Sequence, residues 1–344
     1  MTTVTTDDDG AFEARDWKRL AALRAEYLAG GSPSWKDERD LELYARTFGE
    51  RIAWKWRAVL GETRVAALTP ARGPVVEFGC GSGAASLACH DAGAVAPGAA
   101  WHLLDRSLTA RAFAAQRLRD AGVEDARADG RAPDGELGLL IVSHVLSELD
   151  DATRDEVAEL ARRAQRVIAV EPGSVDGSTT LVRWRDAVLG AGGHRVVAPC
   201  PHARACPLSD RSQAPNDTWC HHFAPPAPEA FTSGFWRRFA ERIGIDLRDL
   251  PMSFVVLDAG AVVEAPDDGL EPARILGRPR WEKGRVRFEL CCARGVVEAD
   301  LLKRTAPKLH KGLREPEAEP RSYRVELGEE RGDAVRVERV EPLG

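Results

Sequence analysis

Val75-Val76-Glu77-Phe78-Gly79-Cys80-Gly81-Ser82-Gly83 decides how this chain is read. Four residues suited to a buried strand run into a turn with glycine at every second position. Ala84–Ala92 then has the pattern of a helix. A strand, a glycine turn and a helix in that order make a place where backbone can approach a ligand closely. The spacing is Gly79-x-Gly81-x-Gly83, which differs from the dinucleotide fingerprint, whose third glycine falls one residue later.

Outward from this turn the chain alternates. Trp101–Asp105, Leu139–Ser143 and Val167–Glu171 read as further strands, and Leu108–Ala121 and Asp151–Arg163 as helices, the latter capped by Asp150 or Asp151. Such alternation implies a parallel sheet covered on both faces. Asp105 ends the second strand, where a carboxylate can accept hydrogen bonds from ribose hydroxyls. The turn, with Glu77 before it, resembles motif I of class I S-adenosylmethionine-dependent methyltransferases. That resemblance implies a cofactor site of Glu77, Gly79, Gly81, Gly83 and Asp105, with Asp129 near the adenine. Val142–Leu149 then follows the fourth strand, where that family lines its methyl-donor pocket. His144 and Glu148 in it read as a helix-start pair, with a catalytic role for either as the alternative, and no recognisable nucleophile or base accompanies the cofactor site.

Before the core, Ala14–Ala29 and Lys36–Leu60 read as helices, the second with a packing face of Leu41, Leu43, Tyr44, Phe48, Ile52, Trp54 and Trp56. A disordered tail is expected over 1–12, a helical region over 13–70, the cofactor core over 71–195, a cysteine segment and helix over 196–250, and a β-rich, barrel-like module over 251–344. Helices are expected at Thr179–Leu189 and Phe231–Ile243. Strands are expected at Ser253–Leu257, Arg285–Cys292, Val296–Leu301, Tyr323–Leu327 and Val335–Val340. The fold class is therefore α/β.

The 344 residues are 44% hydrophobic and 30% charged, enough for a substantial core, and no apolar run suits a bilayer crossing. A cytoplasmic monomer without a membrane partner is expected. The seven cysteines do not suggest a disulfide scaffold. Cys200, Cys206 and Cys220 instead cluster in a proline-rich stretch, and Cys291-Cys292 come later. Thiols gathered in this way suit a metal or an iron–sulfur cluster. Three are too few for a closed tetrahedral site. Cys291, Cys292, His202, His221 or His222 could complete it, giving zinc if histidine joins and a cluster if ligation is all cysteine. Cys291 and Cys292 face opposite sides of a strand, so at most one can readily reach the site. Cys80 and Cys89 read as small apolar filler.

Ala198-Pro199-Cys200-Pro201-His202, Cys206-Pro207-Leu208, Trp219-Cys220-His221 and Leu290-Cys291-Cys292-Ala293-Arg294-Gly295 together resemble the Rsm-type mitochondrial and bacterial small-ribosomal-subunit methyltransferase-like family. The likeness runs from about residue 40 to the C-terminus. It implies a Rossmann-like S-adenosylmethionine (SAM) core and a [4Fe–4S] cluster on Cys200, Cys206, Cys220 and Cys291. It also implies partners in the small subunit's rRNA and proteins. The family's Trp-Gly-Asp near its end is here Arg331-Gly332-Asp333.

The net charge is −6, which does not favour nucleic acid globally, yet local fields decide binding. Two basic runs lie in the C-terminal module. Arg274, Arg278, Arg280, Lys283, Arg285 and Arg287 form the first, interrupted by Glu282. Lys303, Arg304, Lys308, Lys311 and Arg314 form the second. Arg278, Arg280, Lys303, Arg304, Lys308 and Lys311 are the candidate RNA contacts.

Overall fold

The computed structural model describes residues 12–31, 34–210, 212, 217–260, 268–314 and 322–343. The tail expected over 1–12 lies outside these except for Phe12, whose ring packs on Trp17 and Phe235 at 5.3 and 5.2 Å. Helices α1 (Ala14–Leu28), α2 (Glu38–Ala45), α3 (Phe48–Leu60) and α4 (Thr63–Ala66) precede the core. The single helix expected from Lys36 to Leu60 is broken at Thr47. Its hydroxyl donates to Leu43 O at 2.7 Å, and its backbone leaves the helical region. Most of the apolar stripe is a packing face, as expected: Trp54 and Trp56 are buried, and Trp54 packs on Trp236 with the rings tilted by 52°, whereas Tyr44 and Ile52 reach the cleft described below.

The core alternates as expected. Its elements are β1 (Val75–Phe78), α5 (Ala84–Asp91), β2 (Trp101–Leu104), α6 (Leu108–Asp120), β3 (Ala126–Arg127), β4 (Leu137–Ser143), α7 (Asp151–Arg163), β5 (Ala164–Pro172) and α8 (Val175–Gly190). Short β6 (Arg195–Ala198) and β7 (His222–Phe223), helices α9 (Glu229–Thr232) and α10 (Gly234–Ile243), and β8 (Pro251–Asp258) complete it. Asp150 and Ser174 cap α7 and α8, accepting from Thr153 N and Gly177 N. The cap at Ser174 starts α8 a turn earlier than its apolar pattern suggests.

The strands lie in the order β3-β2-β1-β4-β5-β8-β6, with β7 added beside β8. The first five are parallel, whereas β8 runs antiparallel to β5 and β6. A Rossmann-like parallel sheet with one reversed strand next to the edge is the class I methyltransferase arrangement. Strand order reverses between β1 and β4, so a crevice opens at their carboxyl ends. The module boundary expected at 251 therefore falls one strand early: Ser253–Leu257 belongs to the core sheet. Phe254, Val255, Val256 and Leu257 are all buried, as an interior strand needs, and Arg166 on β5 pairs with Asp258 at 2.8 Å.

Beyond it, β9 (Glu271–Glu282), β10 (Arg285–Cys292), β11 (Gly295–Leu302), α11 (Pro307–Gly312), β12 (Ser322–Arg331) and β13 (Ala334–Pro342) form a closed barrel ordered β10-β11-β13-β12-β9. β11 and β13 are parallel and all other neighbours antiparallel. With a helix between its third and fourth strands, this is the connectivity of the OB fold. The sequence reading missed β9 because Pro272, Gly277 and Pro279 interrupt its pattern; the ladder shifts register opposite Gly277–Pro279.

Candidate functional site: a glycine-turn cleft and a four-thiol junction

The cleft sits at the switch point. Its volume is about 640 Å³, within the range of small-molecule sites, and the turn after β1 and the segment after β4 form opposite walls. Gly79, Gly81 and Gly83 all have positive φ, at 72°, 48° and 73°. At Gly79 a Cβ would stand 2.6 Å from Val145 Cγ2, so only glycine lets the two walls approach. At Gly81 a Cβ would point into the cleft, toward Trp35 at 3.9 Å. Asp105 lies where the strand-end acid was expected. Its carboxylate accepts from Gly81 N at 2.9 Å and Ser107 N at 2.8 Å, which ties the turn to β2. Glu77 is buried, takes a hydrogen bond from Ser86 Oγ and lines the cleft. Burial pushes its pKa up to about 8. Asp129 is set apart from this group: it pairs with His102 Nδ1 at 2.9 Å, and its neighbour Gly130 lines the cleft instead.

The wall after β4 is fixed from below. Glu171, fully buried at the end of β5, accepts from Val145 N at 2.9 Å and Leu146 N at 3.0 Å. Burial raises its pKa to about 7. Trp35 and Tyr44, in edge contact at 5.0 Å, bring the N-terminal helical region into the cleft's lining. Sequence spacing could not show Glu171, Trp35 or Tyr44 as site residues, because the topology rather than local spacing delivers them.

The cysteines meet where core and barrel touch. Cys220 and Cys291 are buried in one apolar patch with Val182, Leu208 and Leu276, and Cys206 packs against it. Burial and neighbouring thiols raise the pKa values of Cys200 and Cys291, and push Cys206 up to about 12. Cys292 turns the other way, into the barrel core. Among the described residues no three His, Cys, Asp or Glu side chains are arranged to hold a single metal ion. Of the candidate histidines, His202 Nε2 lies 3.9 Å from Cys291 Sγ. His221 stacks on Trp219, and His222 packs on Phe254 with the rings tilted by 49°.

Two arginines, each 1% exposed, face these thiols. Arg185 from α8 donates to Asp186 and to the carbonyls of His202 and Arg204. Arg274 from β9 donates to Cys220 Sγ at 3.3 Å and His221 O at 3.0 Å, and its Nε has no partner among the described residues.

The two basic runs part company. Arg280 pairs with Glu289 and Glu298, each at 2.7 Å, Arg285 and Arg287 pair with Asp300, and Arg278 pairs with Asp249. Lys303, Arg304, Lys308 and Lys311 are exposed, with no ion pair recorded among the described residues.

A family model described as mitochondrial small ribosomal subunit Rsm22 matches residues 73–317. The chain belongs to the Rsm22 family. The match takes in the glycine turn, Asp105, all four gathered cysteines and both basic runs of this Rsm22-family protein, while Trp35, Tyr44 and Ile52 of the cleft's lining precede it. No curated protein matches it. Among solved structures, the 16S rRNA methylase RmtB is 18% identical, covering 55% of this chain and 71% of its own, with a TM-score of 0.33. A SAM-dependent methyltransferase from Leishmania major is 13% identical, covering 71% and 82%, with a TM-score of 0.38. The plantazolicin methyltransferase BamL is 8% identical, covering 71% and 98%, with a TM-score of 0.36. Scores this low add nothing to the strand order, on which the fold assignment rests. No helix among the described residues of the Rsm22-family chain is long and apolar enough to cross a membrane.

Proposed function

We propose that this protein is a methyltransferase-like factor of the small ribosomal subunit. In this reading it binds SAM in the cleft between β1 and β4. It carries a [4Fe–4S] cluster on Cys200, Cys206, Cys220 and Cys291, and it holds rRNA with its barrel. The observation that carries the reading is Arg274. A guanidinium this deeply buried needs a counter-charge, yet its recorded partners are a neutral carbonyl and a thiol. Ionised thiolates of an anionic cluster would supply that charge. The donor set is all sulfur, with Cys292 pointing away, and all-cysteine ligation suits iron–sulfur chemistry.

Glu77, the Gly79–Gly83 turn and Asp105 would hold SAM, which supplies an electrophilic methyl group when bound. Asp129 would act from outside the cleft, through His102. The second basic run would meet phosphate: it is exposed, and OB barrels commonly take oligonucleotides. Arg278 and Arg280 would contribute only by exchanging their carboxylate partners for phosphate. The family description supports the small subunit as partner. The protein's compartment is then that of the subunit, cytoplasmic by the sequence expectation and mitochondrial by that description.

Purification without oxygen, followed by metal analysis and visible spectroscopy, tests the cluster. The reading expects iron with acid-labile sulfide and broad brown absorption. Stoichiometric zinc without iron would overturn it in favour of a zinc site, with His202, 3.9 Å from Cys291 Sγ, as a candidate histidine ligand.

A further inference from the structure

The cofactor cleft carries a line of polar side chains to which neither the fold nor the SAM reading gives a task. Ser143 ends β4. His144 follows it at φ 54°, left-handed for a residue bearing a Cβ. Residues held there store strain and gather at functional sites. Trp56 Nε1 donates to Ser143 Oγ at 2.9 Å, and that oxygen stands 3.4 Å from His144 Nδ1. On the far side of the ring, His144 Nε2 stands 3.3 Å from Lys55 Nζ. Ser143 and His144 line the cleft, whereas Lys55 is buried behind them on α3.

A buried lysine facing an imidazole rather than a carboxylate is a poor structural device, because its charge gains no ion pair. It is a good proton acceptor for the same reason. The charged groups acting on it are Arg51 on α3 and Glu171 at the end of β5. Burial, with Arg51 beside it, brings the Lys55 pKa down to about 7. His144 is held well below its usual value by burial, Lys55 and Arg51. Near neutrality the histidine is therefore uncharged and the lysine is poised to accept or release a proton.

We propose that Ser143, His144 and Lys55 form a proton relay that serves methyl transfer to an N–H or O–H acceptor, such as an exocyclic amine or a ribose hydroxyl, seated in this cleft. The proposal rests on the reading of the cleft as a SAM site. The acceptor atom forms a bond to the methyl carbon as the carbon–sulfur bond breaks, and the electron pair of that bond stays on sulfur. The acceptor's proton passes to Ser143 Oγ while the serine proton moves to His144 Nδ1. The proton on Nε2 moves to neutral Lys55, leaving serine and histidine neutral and lysine as the ammonium. A ring nitrogen that attacks through a free lone pair would need no such relay and would gain nothing from it.

The test uses the full-length protein, tritium-labelled SAM and small-subunit particles from cells lacking this protein, at pH values either side of 7. Lys55→Met keeps the volume and removes the base. His144→Asn keeps a side chain that tolerates left-handed backbone. Ser143→Ala removes the first link with the least steric change, should either of the others fail to fold. Wild-type transfer should rise through pH about 7 as Lys55 loses its proton. Each variant should lose about a hundredfold in rate and the pH dependence, a loss of the size expected for general-base catalysis, while calorimetric SAM affinity stays unchanged in Lys55→Met, whose side chain lies behind the cleft wall. Variants that transfer at the wild-type rate with the same pH profile would overturn the relay. So would a wild type that binds SAM and transfers nothing to the particles. A wild type that does not bind SAM would strike down the cofactor reading, and the relay with it.

Discussion

Asp105 joins the glycine turn to β2 through two backbone N–H groups, so its carboxylate is fixed before any ligand arrives. Asp105→Ala should weaken SAM binding by roughly 1–3 kcal/mol, the scale of charged hydrogen bonds removed from a buried site. Gly81→Val should weaken it further, since its side chain would enter the cleft at a strained φ. Isothermal calorimetry checks both, and unchanged affinity in the pair would remove the turn from the site. Glu77 gives a pH prediction. Its folded pKa, about 8, stands above the ordinary 4.5, so the folded protein keeps a proton that the unfolded chain has lost. That contribution is full at low pH and fades as pH rises through this window. Glu77→Gln should therefore gain stability relative to wild type in thermal melts of cofactor-free protein as pH climbs toward 8. A constant gap across the range would contradict the assignment. The turn and Asp105 were legible in sequence because their meaning is local: a strand, alternate glycines and an acid at the next strand end. Lys55, Glu171 and Arg274 were not, because each meets its partner only through the fold.

At the scale of elements, β10 divides its two cysteines between the barrel core and the thiol junction. Cys291 faces the junction and Cys292 the barrel core. The strand pattern foretold this division but not which cysteine took which side; the family motif assigned Cys291. If a cluster ties α8, the cysteine segment and the barrel together, serine at Cys200, Cys206 or Cys220 should bleach the protein and lower its melting temperature. Cys292→Ser should leave the colour intact, at the cost only of a polar group in the barrel core. Arg274→Met should load cluster poorly, by removing the buried cation and its bond to Cys220 Sγ. Equal iron content in Arg274→Met and wild type would show that the guanidinium serves packing alone. Strand assignment reached its limit at β8 and β9. β8 is apolar on both faces, and nothing in such a run says which sheet receives it. β9 hides behind two prolines that only its bulged, edge-like course accommodates.

At the scale of the whole molecule, the thiol junction lies between the glycine-turn cleft's domain and the barrel, and the proposed function joins SAM binding in the one to RNA binding on the other. The barrel was foreseen as a β-rich module, while its closure and strand order depend on long-range pairing that composition does not reveal. Its two basic runs looked alike in sequence and differ in three dimensions, because the acids that neutralise the first sit on β10, β11 and neighbouring segments. Replacing Arg280 should thus disturb the barrel more than RNA affinity, whereas replacing the second run should do the reverse. The most direct measurement is co-sedimentation with small-subunit particles across a salt series. It compares wild type with the variant neutralised at Lys303, Arg304, Lys308 and Lys311. Wild type should sediment with the particles at low salt. The variant should bind more weakly and with a flatter salt slope, by about 0.7–0.9 for each phosphate it no longer neutralises. A wild type that never sediments with the particles, or a variant with an identical slope, would contradict the proposed function.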